Sequence, residues 1–395
     1  MIKMKKSWLP EEVEINLFQE IKKKCGEAEA AGKTLYRLSI GQPGGPALTS
    51  ARLGAAKAVL SIAESMHEYQ DNGSPGAPGF AEKFVHFHVH NNGLLDNHQV
   101  DYLSVPGIKP MLGLVPLACG CAGNKIKVAT TTKPGYPTPR DWCGYLGLEI
   151  QELPLTPENK FLFSIKDIED GVNLIMMNYP HNPTGQIATE EWLKELCEYC
   201  VANNIRIFND AAYVALSHTN ESCALAKVAI GFPELSWVEA YSASKLIGNG
   251  TGWRVGAMVG SLDFIQDLKT IKGNTDSGFV APMAAGVLYA IKYDQEGIEK
   301  CRMTYERRLQ FLINLLSKHG MRLAVEPKAG FFTLWKVPKK AFGQNIESAE
   351  QFNFMMIERT GVVGVHFHPY IRYAVCANVM SENINAAFEA ANVEY

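Results

Sequence analysis

The segment YSASK, residues 241–245, follows an apolar run and leaves Lys245 as a flexible amine where that run ends. Partial desolvation there lowers the pKa of an ammonium and frees it as a nucleophile. NYPHNPTG places Asn182, with a donor and an acceptor, in a turn stiffened by Pro183 and closed by Thr184 and Gly185. IRIFNDAAY is an apolar run that delivers Asp210 and Tyr213 to one edge. Each set also has a plainer reading: a surface lysine, a turn, and a helix cap. One requirement covers them together. An aldehyde cofactor on a pyridine ring needs a lysine for the imine, a carboxylate to keep the ring nitrogen protonated, and donors for its phenolate oxygen. Lys245, Asp210, Tyr213 and Asn182 form that set. A phosphate on the same cofactor needs cations and backbone donors, for which Ser242, Arg254 in GTGWRVG, and the turn Gly107, Ile108 and Lys109 are candidates. Tyr136, in PGYP, is placed either to stack on a planar ring or to pack a turn.

These residues have to be held by defined elements. Between residues 100 and 260, short β-rich runs (YLSV, KIKVAT, LEIQELP, VNLIMMN, IRIFND, WVEAYSAS, RVGAMVG) alternate with helical stretches. That alternation predicts a mostly parallel sheet covered by helices on both faces. Ligands of such sheets sit beyond the carboxyl ends of the strands, and the connecting loops there carry the candidates above. Residues 12–32 read as a helix with Ile15, Leu17, Phe18, Ile21 and Cys25 on one side, followed by a strand over Leu35–Ile40 and a loop through Gly41–Pro46. One long helical stretch follows residue 280, and GFFTLWKV then opens a smaller α+β part.

The bulk properties narrow the classes. A chain of 395 residues, 47% hydrophobic and 20% charged with a formal charge of -3, is an ordinary globular protein with no global pull toward nucleic acid or membrane. MIKMKKSW lacks a following apolar run, and no long uncharged apolar stretch occurs later, so a cytoplasmic protein is expected. Nine scattered cysteines suggest reduced thiols rather than a disulfide scaffold. The CxxC spacing of Cys197 and Cys200 falls in a helix and reads as core packing. His86, His88 and His90, and His366 and His368, lack the further ligands of a zinc site, so no metal is expected.

In series, these motifs resemble the fold type I pyridoxal 5′-phosphate-dependent aminotransferases of class I/II. The match runs from about residue 12 to the end through IGQP at 40, Tyr69 before a Gly-rich turn, PGIK at 106, PGYP at 134, NPTG at 182, DAAY at 210, SASK at 242, GWR at 252 and Arg372 in YIRYAV. The resemblance implies a large domain (46–290) with a mostly parallel seven-stranded sheet flanked by helices. It also implies a smaller α+β domain (291–395), to which an N-terminal segment (1–45) contributes. It implies a homodimer with shared active sites that uses an amino acid and a 2-oxo acid. Lys245 would form the Schiff base with the cofactor and then move the substrate proton. Asp210 would pair with the pyridinium, Tyr213 and Asn182 with the phenolate oxygen, and Tyr136 would stack. Ser242, Arg254, Gly107, Ile108 and Lys109 would hold phosphate, with Tyr69 reaching in from the neighbouring subunit. Arg372, Asn182 and Gly41 would bind the substrate carboxylate.

Some features depart from the pattern. LIGNGTGW places Arg254 one residue further from Lys245 than is usual, so that loop must bulge. GVVGVHFHPYIRYAV lacks the customary cover before the arginine, which leaves His366 and His368 as possible substrate contacts. KGNTDSG, 272–278, offers Lys272 where aspartate-specific enzymes carry an arginine, which disfavours that specificity. PGIK and NTDSG lean toward the subgroup containing bacterial alanine and LL-diaminopimelate aminotransferases. The competing activities are β-elimination of the C–S lyase kind on the same scaffold and cofactor binding with little turnover. The SxxK of serine hydrolases also fits Ser242 and Lys245, but its SDN and KTG partners are missing from the chain.

Overall fold

The computed structural model describes residues 17–90, 93 and 98–395. Its helices are α1 (Leu17–Ala30), α2 (Thr49–Val59), α3 (Phe80–Val89), α4 (Ile108–Ala118), α5 (Thr138–Tyr145), α6 (Glu190–Asn203), α7 (Leu225–Ala229), α8 (Leu262–Lys272), α9 (Ala281–Tyr293), α10 (Gln295–Lys318), α11 (Ala349–Thr360) and α12 (Glu382–Ala391). The strands are β1 (Tyr36–Arg37), β2 (Val100–Val105), β3 (Lys127–Thr130), β4 (Glu149–Glu152), β5 (Val172–Met177), β6 (Arg206–Asp210) and β7 (Trp237–Ser242). They continue as β8 (Gly256–Ser261), β9 (Phe332–Lys336), β10 (Lys340–Ala341), β11 (Gln344–Asn345), β12 (Val362–Val363), β13 (Val365–Phe367) and β14 (Tyr370–Ala374).

Strands β2 to β8 make one seven-stranded sheet in the order β2-β8-β7-β6-β5-β3-β4. The pairs β4–β3, β3–β5, β5–β6 and β6–β7 are parallel, whereas β8 runs against both of its neighbours. All six residues of β7 are buried, as are the last four of β5, because helices cover both faces of the sheet. The reversal of β8 matters for the site. Its start, just after Arg254, lies at the same edge as the ends of β2, β5, β6 and β7.

Thr189 caps α6 as its position before Glu190 and Glu191 suggests, its hydroxyl accepting from the Trp192 amide at 3.4 Å. Cys197 and Cys200 lie inside the core that α6 closes, which agrees with a packing role. His88 is buried, with its Nδ1 2.7 Å from the Phe84 carbonyl and its ring 5.0 Å from that of Tyr241.

Several sequence expectations are revised. The start of the first helix at residue 12, and Ile15, lie outside the described residues. Within α1, Ile21, Cys25 and Ala28 face the core, while Phe18, one residue around the turn from Leu17, points to the functional cavity instead. The expected strand over Leu35–Ile40 shrinks to β1, because only Tyr36 and Arg37 find a partner, parallel to Val362 and Val363. The long helical stretch is two helices, broken where the Asp294 carboxylate leaves the chain to cap α10 by accepting from the Gly297 amide at 3.0 Å. The C-terminal part packs β9, β14, α10, α11 and α12 around Leu312, Leu316, Trp335, Phe352 and Ile371. Helices α2 and α9 cross closely through glycine: a Cβ on Gly286 would lie 2.5 Å from the Ala51 carbonyl oxygen.

Candidate active site

A cavity of about 240 Å³ opens at the carboxyl edge of the central sheet. The loop after β2 supplies Ile108 and Lys109, and the segment after β3 supplies Tyr136. The segment after β5 supplies Asn178 and Asn182, β6 and its extension supply Asp210, Ala212 and Tyr213, and β7 and its turn supply Ser242, Ser244 and Lys245. Arg254 enters from the start of β8. Gly41, Phe332 and Arg372 close the side toward the C-terminal part, with Phe18 of α1. Among the described residues the lining carries four basic side chains, Lys109, Lys245, Arg254 and Arg372, against the one carboxylate of Asp210. A site of that balance suits a ligand with several negative charges.

Asp210 and Lys245 influence each other. Burial raises the Asp210 carboxyl to about 6, and the field of Lys245 works against that rise. Lys245 is pushed down from the ordinary lysine range, again by burial first, with Asp210 opposing. The side chain retains access to the cavity, so the amine is both desolvated and reachable. Its Nζ lies 5.5 Å from the centre of the Tyr213 ring. Burial drives the Tyr213 phenol upward, which keeps it a neutral donor.

The extra residue after Lys245 is absorbed in a turn at Gly248 (φ +74°), which bridges to Ala47, and the Asn249 amide donates to the Gly45 carbonyl at 3.1 Å. A 3-10 turn over Thr251–Trp253 then brings Arg254, itself at φ +56°, back to the cavity. Its guanidinium donates to the Thr251 carbonyl at 3.0 Å and lies against Gly107. A Cβ on Gly107 would come within 2.3 Å of that guanidinium, and φ there is +81°. Glycine is thus what lets the amino end of α4 approach Arg254. Together they form a cradle of helix N–H groups and a fixed cation, the chemistry that phosphate requires.

Arg372, 2% exposed, is held from the other side. It donates to Asn182 Oδ1 at 2.9 Å and to the Ser39 carbonyl at 2.7 Å, and its plane lies 4.3 Å from the Phe332 ring centre. Burial lowers it to about 10, so it stays charged at neutral pH. Its Nε is buried and has no acceptor among the described residues. Because Arg372 occupies Asn182 Oδ1, the amide end of Asn182 is the one that can serve a ligand oxygen.

All the expected site residues of this chain converge here, with two qualifications. Gly107 shapes the cradle from behind, and Tyr69 is 77% exposed and away from this cavity. His366 and His368 do not line it either. On β13 the side chains alternate: Phe367 faces Arg372 at 5.5 Å, while His366 turns to Asn353, 3.2 Å from its Nδ1. His368 is exposed. Sequence reading missed Asn178 and Phe332. Asn178 donates to the Asp210 carbonyl at 2.6 Å and accepts from the Asn182 amide at 2.9 Å, so it ties two functional segments together. Its place four residues before Asn182 is an ambiguous signal in the sequence alone.

Residues 33–390 match the profile of the family described as aminotransferase class I and II. The chain belongs to that family. Among its relatives, the LL-diaminopimelate aminotransferase of Methanocaldococcus jannaschii is 32% identical over 72% of this chain and 68% of its own length. That of Halothermothrix orenii is 29% identical over 94% of each. In structure, substrate-bound BacF from Bacillus subtilis superposes with a TM-score of 0.84 at 22% identity, covering 99% of both chains. Aspartate aminotransferase from Thermus thermophilus gives 0.79 at 19%, covering 96% of both. As an aminotransferase of this class, the protein transfers amino groups with pyridoxal 5′-phosphate. The cavity fits that cofactor: it has a buried carboxylate, a desolvated lysine, neutral phenol and amide donors, and the cradle at Gly107.

The raised carboxyl of Asp210 has a measurable consequence in the cofactor-free protein. The unfolded chain ionises Asp near pH 4 and the folded one near 6, so stability falls as pH rises through that window and the penalty is complete above it. A shift of this size corresponds to roughly 3 kcal/mol. Cofactor-free Asp210→Asn is therefore expected to unfold at higher denaturant than the wild type at pH 7.5, with the gap closing toward pH 4. Parallel pH profiles for the two proteins would refute this.

Proposed function

We propose that this aminotransferase moves the amino group of an L-amino acid to a 2-oxo acid in two half-reactions at the cavity described above, with Lys245 as the residue that binds the cofactor covalently. The observation that carries the reading is the burial of Asp210 and Lys245 side by side within reach of Tyr213 and Asn182. When bound, the cofactor would supply an electron sink for the carbon that loses its proton.

This chain's residues do the rest. Asp210 would hold a proton on the ring nitrogen. The Tyr213 hydroxyl and the Asn182 amide would donate to the ring oxygen, and Tyr136 would cover the ring face. Ser242, Arg254 and the α4 amides of Ile108 and Lys109 would anchor the phosphate. Arg372 receives the substrate carboxylate in a fork, with Gly41 and Asn182 beside it. Lys245, as a neutral amine, would take the proton from the substrate Cα and deliver it to the cofactor carbon that receives the amino group, so that the amino group leaves the substrate skeleton and a 2-oxo acid is released after hydrolysis. Phe332, stacked on Arg372, helps exclude water from that pair.

The proposed division of the chain into a segment over 1–45, a large domain over 46–290 and a small domain over 291–395 is supported by the C-terminal core. Homodimerisation is supported by an apolar surface on α2 and α9 that includes Leu53, Tyr289 and Tyr293, with Leu60, Ile62 and Tyr69 nearby in the chain, all exposed. Tyr69 would then serve the neighbouring subunit's phosphate cradle. Lys272 is fully buried and paired with Asp276 at 2.7 Å. It is not offered to a distal carboxylate, which argues against an aspartate-specific enzyme of that design. LL-diaminopimelate, named in the relatives, is the first donor to test. Among the described residues no helix is long and apolar enough to cross a membrane. All nine cysteines are unpaired, which supports a reducing, cytoplasmic setting.

The decisive variants are Lys245→Ala and Arg372→Lys. Lys245→Ala is expected to lose the visible absorbance of the cofactor–lysine adduct, with peptide mapping after borohydride reduction finding no modified residue 245 in the variant and a modified Lys245 in the wild type. Arg372→Lys keeps the colour but raises KM at least about tenfold, since a lysine cannot form the fork. Reductive labelling at another lysine would overturn the assignment. For the dimer, light scattering is expected to give twice the chain mass, and a stable monomer with full activity would contradict it.

A further inference from the structure

A buried network behind the cavity has no part in the chemistry above. Strands β5 and β6 pair as far as Met177 and Asn209, and then separate. Beyond that point the Asn209 side chain continues the pairing. Its Oδ1 accepts from the Tyr179 amide at 2.9 Å, and its Nδ2 donates to the Tyr179 carbonyl at 2.9 Å. An amide side chain thus stands in for a strand backbone at the point where the loop toward Asn182 begins.

The orientation of that amide is fixed from β7. Glu239 is the cross-strand partner of Asn209 and is 0% exposed. Its Oε1 accepts from Asn209 Nδ2 at 2.7 Å and from the Leu225 amide at 3.0 Å. Its Oε2 accepts from the Ala226 amide at 2.7 Å and from the Tyr241 hydroxyl at 2.6 Å. Among the described residues the four hydrogen-bond partners of this carboxylate are neutral, an expensive arrangement in a sheet interior. Apolar residues at both positions would pack the sheet at lower cost, but they would leave Tyr179 without its two bonds.

From Tyr179 the loop passes through Pro180 and His181 to Asn182. The Asn182 amide is tied to Asn178, and its side chain accepts from Arg372. The chain of contacts therefore runs from Glu239 through Asn209 and the Tyr179 backbone to the pair that meets the substrate carboxylate. We infer that Asn209, oriented by Glu239, is a positioning residue that sets the Asn182–Arg372 pair for carboxylate recognition. The inference rests on the reading of Arg372 given above.

The test uses holoenzyme carrying Asn209→Ala or Asn209→Ser. Each is titrated with an α-methyl amino acid, which binds but has no Cα proton to lose, and followed by the absorbance of the bound cofactor. Arg372→Lys serves as a control. Asn209→Ala is expected to weaken binding about tenfold, the scale of a lost hydrogen bond to a charged group, with Asn209→Ser in between. In turnover, KM for the amino acid and for the 2-oxo acid should rise together while kcat stays within about twofold; a merely structural defect would lower kcat through the active fraction and leave both KM values alone. If Asn209→Ala does not fold, Asn209→Ser alone decides. Binding within about twofold of wild type in every folded Asn209 variant, with only the melting temperature lowered, overturns the inference. An unaltered affinity in Arg372→Lys would instead show that the reading of Arg372 is wrong.

Discussion

The burial of Asp210 and Lys245 at one edge of the sheet is the constraint around which the rest of the site is arranged. A carboxylate and an amine removed from water each resist their charged forms, and here each limits the shift of the other without cancelling it. In the proposed reading, a protonated ring nitrogen beside Asp210 and a covalent partner for Lys245 would relieve both. The edge that holds this pair exists because parallel strands end together, and because β8 is reversed so that Arg254 enters where the other strands leave.

The second organising contact is Arg372. It stands on β14 in the C-terminal part, yet it bonds to Asn182 of the central sheet's loop and to Ser39 in the turn after β1. One buried guanidinium thus joins three stretches of chain distant in sequence. Phe332 and Phe367 on its faces keep it dry enough for a carboxylate to compete with water. The loop carrying Asn182 is in turn held by Asn178 and Asn209, polar side chains that replace strand pairing where pairing has to stop.

Much of this was legible in the sequence because the chemistry is concentrated in short motifs at strand ends. DAAY, SASK, NPTG and GWR each follow or precede an apolar run, so finding the runs placed the residues. The departures that sequence reading flagged were resolved by backbone geometry: the longer loop before Arg254 folds into a turn at Gly248. The side-chain parity of β13 sends Phe367, rather than His366, toward Arg372. What stayed hidden depends on contacts between distant segments. Phe18 looked like one more apolar position of α1, and only the placement of that helix against the cavity mouth turns it inward. Asn178, Asn209 and Glu239 read as ordinary strand residues, and their roles appear only in the cross-strand register. Tyr69 matters only if a second chain is present, which no periodicity within one chain reveals.

The central claim is that this cavity exchanges an amino group between two carbon skeletons. The most direct measurement is a single half-reaction: purified holoenzyme mixed with one amino acid and no acceptor, with the products counted. The account expects one 2-oxo acid per cofactor with no ammonia, followed by restoration of the original absorbance when a different 2-oxo acid is added and a new amino acid is formed. Continuous release of ammonia in step with the oxo acid, with no acceptor required, would contradict it.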